Sequence, residues 1–501
     1  MASIVVIDVG TQSIRAILYK DAKEVVFETK VLYSPIFNGI EVEQDPRTWK
    51  NGLYQILKET NEFANKENIT ISHLSVTSQR ASIIPIDENG KVLYNAITWQ
   101  DRRSYEQVNE VTKKMSKEEI YLKTGLRLDS YFSAPKMMWL KKHMPDIYYG
   151  AHKIIGVQDY IVYLLTEKFV TDSTQAARTL FMDINTFEWD NELINVFGIN
   201  KDLLPTILKP GSIAGKITNQ IIEKTGLNKN IEVILAGGDQ QCAAVGLNVL
   251  KPGTLEANIG TGSFVIAYSD KPVFDENMRV LCSASAVKDK WIVEAGLLTS
   301  GAIYTWYNEN FYGEINNYEK INEEVNKSLP GANGLLLIPH FKGSAAPYWN
   351  PLSKAMFFNA TFDHFRGDYA RAILEGIALE MGENIKLIEE LIDYVDIIYA
   401  AGGLTKFPTF NQIMSDVFNK AVAVLSSAEA TAMGALIQAR VGLKLDKDHI
   451  ESFNKLVDVT NRTTYHAKPK NIITYRKMLR TKKHLYEALS DSQIYSYMNL
   501  K

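Results

Sequence analysis

Two aspartates in this sequence stand where apolar runs give way to glycines, and both positions suit chemistry on phosphates. In Asp8-Val9-Gly10-Thr11-Gln12-Ser13 a carboxylate is followed by a glycine and two hydroxyls, a turn whose backbone N–H groups can line an anion-binding nest. A phosphate fits there, although a plain hairpin turn capped by Asp8 uses the same residues. At a buried strand end a carboxylate needs a cation or several donors, and Mg²⁺ or its waters would satisfy Asp8. In Ile234-Leu235-Ala236-Gly237-Gly238-Asp239-Gln240-Gln241 a strand runs through paired glycines to an acid that opens a helix. An N-cap is the commonest fate of Asp at such a junction. In phosphoryl transfer the same carboxylate orients an acceptor hydroxyl and takes its proton, and that is the reading preferred for Asp239. Gly260-Thr261-Gly262-Ser263 offers a second hydroxyl-bearing loop, and Ala400-Ala401-Gly402-Gly403-Leu404-Thr405-Lys406 a third glycine element, where a flat ring could approach the backbone. Ser300-Gly301-Ala302, at another helix start, supplies the opposite wall for adenine and ribose.

These residues need rigid elements to hold them. A β-branched run over 3–7 and an apolar run over 14–19 flank the first turn, the pattern of a buried hairpin. Runs over 255–259 and 264–268 repeat that design around the 260–263 turn, so the chain reads as a duplicated domain holding a nucleotide between its copies. Amphipathic stretches over 46–65 and 132–143 alternate with strand candidates over 71–76 and 232–236, which makes the class α/β. The helix breakers Pro252-Gly253 mark a lobe border. The expected division is 1–248, with the acceptor site, first phosphate loop and Asp239; 249–445, with the nucleotide site; and a helical tail over 446–501 that packs on the lobes.

Bulk properties narrow the function. At 501 residues, with 46% apolar and 23% charged, the chain is long enough for two large lobes and ordinary in composition. A formal net charge of -3 with mixed signs gives no electrostatic footprint for nucleic acid or an anionic membrane. Cys242 and Cys282 are too few for a disulfide framework and lack metal-ligand spacing, so reduced buried thiols are expected. The N-terminus meets a charge at Asp8 too early for a signal peptide, and a cytoplasmic enzyme is the expectation.

The elements, in this order, resemble the FGGY carbohydrate kinases, whose lobes are similar in fold to the ribonuclease H-like ATPase lobes of hexokinase, actin and Hsp70 around a central cleft. Tyr131-Phe132-Ser133-Ala134-Pro135-Lys136-Met137-Met138-Trp139 looks like one family signature. Gly402-Gly403, continuing to Asn411-Gln412-Ile413-Met414-Ser415-Asp416, looks like the other, and Glu429-Ala430-Thr431-Ala432-Met433-Gly434 matches the helix after it. Within the family, Ser78-Gln79-Arg80 and Gly238-Asp239-Gln240-Gln241 are similar to glycerol kinase, with xylulokinases also near.

The resemblance implies ATP and Mg²⁺ as cofactors, with Asp8 meeting the metal through water and Asp239 beside it. Asp239 would be the base, and Arg80, Trp99, Tyr131 and Gln240 would line the acceptor pocket with it. Thr11, Gln12, Ser13, Arg15, Gly260, Thr261 and Gly301 would meet the nucleotide phosphates, and Gly402, Gly403 and Lys406 would lie near adenosine. Read without that likeness, Trp99 and Tyr131 are equally core residues and Arg80 a salt-bridge residue. Sugars, however, present C–H faces to aromatic rings and hydroxyls to Arg and Asp. One departure stands out: glycerol kinases follow the pocket arginine with a glutamate, and this chain has Ala81. Loss of that acceptor leaves a glycerol hydroxyl unpaired at a cost of about 1–3 kcal/mol. A ketopentose such as xylulose, or a four- to five-carbon polyol, is therefore the expected partner, with glycerol the competing substrate. A homodimer is the family expectation, and a non-catalytic nucleotide switch is the competing class.

Overall fold

The β-branched run at the N-terminus becomes the strand Ser3–Val9, antiparallel to Ser13–Lys20 with Asp8 opposite Arg15 and Val9 opposite Ile14. This is the hairpin that the pattern predicts. The computed structural model describes residues 3–313, 317–425, 429–457 and 462–497. Ile71–Ser78 lies parallel to Ser3–Val9, and Glu232–Gly238 lies parallel to Ile71–Ser78. The sheet order is Ile213–Lys216, Glu232–Gly238, Ile71–Ser78, Ser3–Val9, Ser13–Lys20, Glu24–Leu32. Its central strands are covered on both faces, which is why they are apolar without alternation.

On one face lies Pro46–Lys66, started by Asp45, whose side chain accepts the Arg47 N–H, and by a proline in its first turn. Its stripe of Trp49, Leu53, Ile56 and Leu57 packs on Val5, Ile7, Leu74 and Val76. On the other face, Ile4, Val6, Ile234 and Ala236 meet Cys242 of the helix Asp239–Gly246 and Ala432, Ala435, Leu436 and Ala439 of the helix Ala430–Gly442.

Those two helices touch backbone to backbone. A methyl at Gly434 would sit 1.7 Å from the Cys242 carbonyl oxygen, and one at Gly246 would sit 2.0 Å from that of Ala430. Only glycine permits this approach, and it fixes the helix that Asp239 begins.

The chain divides into two compact units. The first comprises Met1–Leu250, Cys282–Trp291 and Glu429–Val457, and the second Lys251–Leu281, Ile292–Ala428 and Asp458–Lys501. The first break lies two residues beyond the 248/249 border read from sequence, but the helix Ala430–Gly442, which that reading put in the second lobe, packs in the first.

The second unit repeats the hairpin. Gly253–Ile259 pairs antiparallel with Ser263–Ser269 and parallel with Val395–Gly402. Each turn is closed by a glycine N–H, that of Gly10 donating to the Ser13 carbonyl and that of Gly260 to the Gly262 carbonyl, both at 2.9 Å, the second turn being one residue shorter. Beyond Leu445, the helix Pro469–Asp491 is built into this unit: Tyr475 joins its core, and the wholly buried Lys482 reaches Glu380 at 2.5 Å and Glu383 at 2.7 Å. Both cysteines are buried free thiols, as expected. Among the described residues no helix is long and apolar enough to cross a membrane.

Gly434→Ala forces a backbone shift rather than a side-chain adjustment. Its expected cost is at least about 1–3 kcal/mol, from overpacking, read as a lower urea midpoint.

Candidate active site

Asp239 is the first residue of its helix, and Gly238 takes the cap position with no side-chain bond, so the carboxylate is not used up as an N-cap. Its Oδ1 accepts the Gln240 N–H at 2.8 Å and lies 3.5 Å from Arg80 Nε. Arg80 is buried, and its Nη1 donates to Gln241 Oε1 at 3.1 Å. Burial lifts the Asp239 carboxyl to about 6; the Arg80 charge opposes that rise, and the negative charge of Asp8 adds to it. A helix N-terminus favours an anion here, and 27% of the side chain remains open to approach. A carboxylate so placed is ionised at neutral pH and basic enough to take a proton.

The residues expected at the acceptor include an aromatic pair. Trp99 and Tyr131 face each other with ring centroids 5.7 Å apart and planes tilted by 55°. Trp99 Nε1 donates to Thr11 Oγ1 at 3.3 Å, so Thr11, expected at the phosphates, is tied to the aromatic wall. Gln240 Oε1 is buried without a hydrogen-bond partner among the described residues, as suits a group awaiting a ligand hydroxyl. Sequence reasoning missed Arg178: its guanidinium carbon lies 5.8 Å from the Tyr131 ring and 5.2 Å from that of Phe132, while Nη1 donates to Ser283 at 3.0 Å. Its charge also lowers the Asp239 pKa. A lone arginine outside any glycine motif gives no sequence signal.

In the turn that follows the first strand, Asp8 finds a cation within the chain. Arg15 Nε and Nη2 approach Asp8 Oδ2 at 3.0 and 2.9 Å, and Arg15 also pairs with Glu429. Burial pushes the Asp8 carboxyl up against the pull of Arg15. Gln12 is exposed, its carbonyl accepting the Tyr33 N–H at 3.0 Å, and Ser13 is half-buried beside it. Among the described residues no group of three or more His, Cys, Asp or Glu is placed to hold a metal.

The second unit holds a cleft of about 650 Å³, within the range of ligand pockets. Gly260, Thr261, Gly301, Tyr304, Gly403 and Lys406 line it, so the structure brings together residues from three separate glycine elements. Gly402 ends the strand behind the lining, opposite Ile259. The Gly301 N–H donates to the Gly260 carbonyl at 2.9 Å, and the Ser300 N–H to that of Thr261 at 2.9 Å, which locks the loop to the helix Gly301–Phe311.

Residues 3–246 match the profile of the FGGY family of carbohydrate kinases, N-terminal domain, and residues 255–443 that of the C-terminal domain. The chain belongs to this family. It is an enzyme, a kinase that phosphorylates a sugar or polyol with ATP as donor, and the non-catalytic switch is thereby set aside. Xylulose kinase of Bacillus subtilis (strain 168) is 27% identical over 494 residues, covering 98% of each chain. Glycerol kinase of Thermococcus onnurineus (strain NA1) is 31% identical over 447 residues, covering 88% of each. The crystal structure of gluconate kinase from Lactobacillus acidophilus superposes with a TM-score of 0.91 at 25% identity, covering 97% of this chain and 98% of that one.

A methyl at Gly301 would lie 2.6 Å from the Gly260 carbonyl oxygen and part the loop from the helix. Gly301→Ala should raise the KM for ATP by about tenfold or more, the equivalent of ~1.4 kcal/mol of lost binding. The KM for the acceptor should stay within about twofold of wild type, because overpacking acts locally; steady-state titration of each substrate checks both.

Proposed function

We propose that this kinase transfers the γ-phosphoryl group of Mg·ATP to a hydroxyl of a ketopentose such as xylulose, or of a four- to five-carbon polyol, with Asp239 as the base. The observation that carries this reading is the Asp239 carboxylate, raised to about 6 and left partly open, with Arg80 at 3.5 Å and Gln240 next to it in the chain. An acceptor alcohol that packs its C–H face on the rings and hydrogen-bonds Arg80 and Gln240 puts one hydroxyl at Asp239. That oxygen attacks phosphorus as Asp239 takes its proton, and the O–P bond to ADP breaks. Gly260, Thr261, Gly301, Gly403 and Lys406 serve the nucleotide, and Thr11, Gln12, Ser13 and Arg15 its phosphates.

Asp8 and Asp239 fit a shared Mg²⁺: each carboxyl is raised, and the charge of Asp8 raises that of Asp239, a repulsion that a divalent cation removes. Mg²⁺ is commonly held by one or two carboxylates plus phosphate and water. When bound, it neutralises charge on the transferring phosphates.

The choice of acceptor rests on Ala81. Where a glutamate would accept a glycerol hydroxyl, the Ala81 side chain has no acceptor, so glycerol loses a partner there. An acidic sugar such as gluconate is a second reading, favoured by Arg178 and Arg102, with guanidinium carbons 5.8 and 5.6 Å from the Tyr131 ring, and by the likeness to gluconate kinase. A cytoplasmic site of action suits all three substrates.

Asp239→Asn should retain ATP binding and lose at least ~10² in kcat, the usual contribution of a general base. Near-wild-type turnover by that variant would refute the assignment. Because protonated Asp239 cannot accept a proton, kcat/KM should fall as pH drops below about 6, approaching tenfold per unit. A coupled assay with xylulose, ribulose, erythritol, ribitol, gluconate and glycerol identifies the acceptor; glycerol as the best substrate would overturn the argument from Ala81.

A further inference from the structure

Lys136 is wholly buried, yet among the described residues no carboxylate pairs with it; its ammonium donates instead to backbone carbonyls of Ala81 at 3.1 Å, Phe132 at 3.3 Å and Tyr131. Three N–H donors meet three acceptors, the full capacity of a lysine ammonium. The carbonyls belong to two separate turns. One follows Arg80, and the other carries Tyr131. Both residues stand in the acceptor site, so this one nitrogen joins the wall that bonds hydroxyls to the wall that packs on the sugar face.

The first turn requires such a tie. Ala81 has φ +61°, a left-handed conformation that costs an alanine about 1–2 kcal/mol. A hydrogen bond from a charged donor to its carbonyl contributes a similar amount. Without it, the turn can relax toward an ordinary conformation and swing the Arg80 side chain away from Asp239 and Gln241.

We propose that Lys136 is a positioning residue that sets acceptor affinity by clamping the Arg80–Ala81 turn to the Tyr131–Phe132 turn. The clamp rests on the acceptor site proposed above. The groups that face the ammonium are Arg102, Asp101 and Asp129, with the Tyr131 ring 6.0 Å away. Burial, reinforced by the Arg102 charge, pulls the lysine down to about 7 against the two aspartates. As pH rises through that value the nitrogen keeps fewer donors and loses its charge, so the clamp weakens.

The test compares wild type, Lys136→Met and Asp239→Asn on the best acceptor from the coupled assay. Lys136→Met should raise the acceptor KM about tenfold or more, as loss of a charge-assisted hydrogen bond at the site implies. Its kcat and its KM for ATP should move less than about threefold, the split expected when uniform binding is lost. In wild type the acceptor KM should climb between about pH 6.5 and 8.5, the range in which this amine loses its proton. The climb should vanish in Lys136→Met, whereas Asp239→Asn should retain it and lose kcat. A folded Lys136→Met with wild-type acceptor KM overturns the proposal. If that variant does not fold, a flat wild-type acceptor KM over the same pH range overturns it. Failure of Asp239→Asn to lose kcat sinks the base assignment alone, and absence of turnover on every acceptor sinks both.

Discussion

A carboxylate withdrawn from water must either be paid for by a cation or shed its charge, and the first unit is arranged so that Asp239 does neither completely. Arg80 stands at 3.5 Å rather than in a close bidentate pair, the Gln240 N–H supplies one bond, and Asp8 adds repulsion. The outcome is a proton affinity between that of a surface acid and that of a buried one. Every element around it serves that compromise. Paired glycines end the Glu232–Gly238 strand so that the helix can start at once, and the glycine contact with Ala430–Gly442 holds the helix down on the sheet.

How much of this was legible in the sequence follows from the range of each interaction. The Ser3–Val9 and Ser13–Lys20 hairpin, its echo at Gly253–Ile259 and Ser263–Ser269, and the helix Pro46–Lys66 were readable because local apolar pattern and turn chemistry decide them. The cleft residues Gly260, Gly301 and Gly403 were readable as separate glycine elements, although only folding puts them on one lining. Arg178 and Lys136 escaped for the opposite reason. Arg178 acts on Tyr131, distant along the chain, and Lys136, although it stands in a family signature, bonds Ala81 55 residues away, a link that only folding makes.

Unit membership shows the same limit. Ala430–Gly442 follows the second sheet's strands along the chain, so a reading by proximity assigns it to them. Its small residues decide otherwise: Gly434, Ala435 and Ala439 form a face narrow enough to lie against Asp239–Gly246, which has Gly246 and Cys242 at the contact. Complementary small faces were visible in both segments, but their pairing is a matter of tertiary packing rather than propensity.

The arginine at position 15 illustrates why a motif residue cannot be read apart from its neighbours. Its guanidinium already pairs with two carboxylates, Asp8 and Glu429, so a phosphate arriving there competes with existing ion pairs rather than filling an open site. That competition limits non-specific anion binding, since a simple anion gains little by displacing Asp8 and Glu429. A polyphosphate held at several points has more to gain, because its other contacts contribute while only one pair is exchanged. Burial raises the Asp8 carboxyl despite the pull of Arg15, and the charge of Asp8 in turn raises Asp239. A cation that satisfies Asp8 would therefore lower the proton affinity of Asp239 as well, so the two carboxylates are coupled through charge without any moving part.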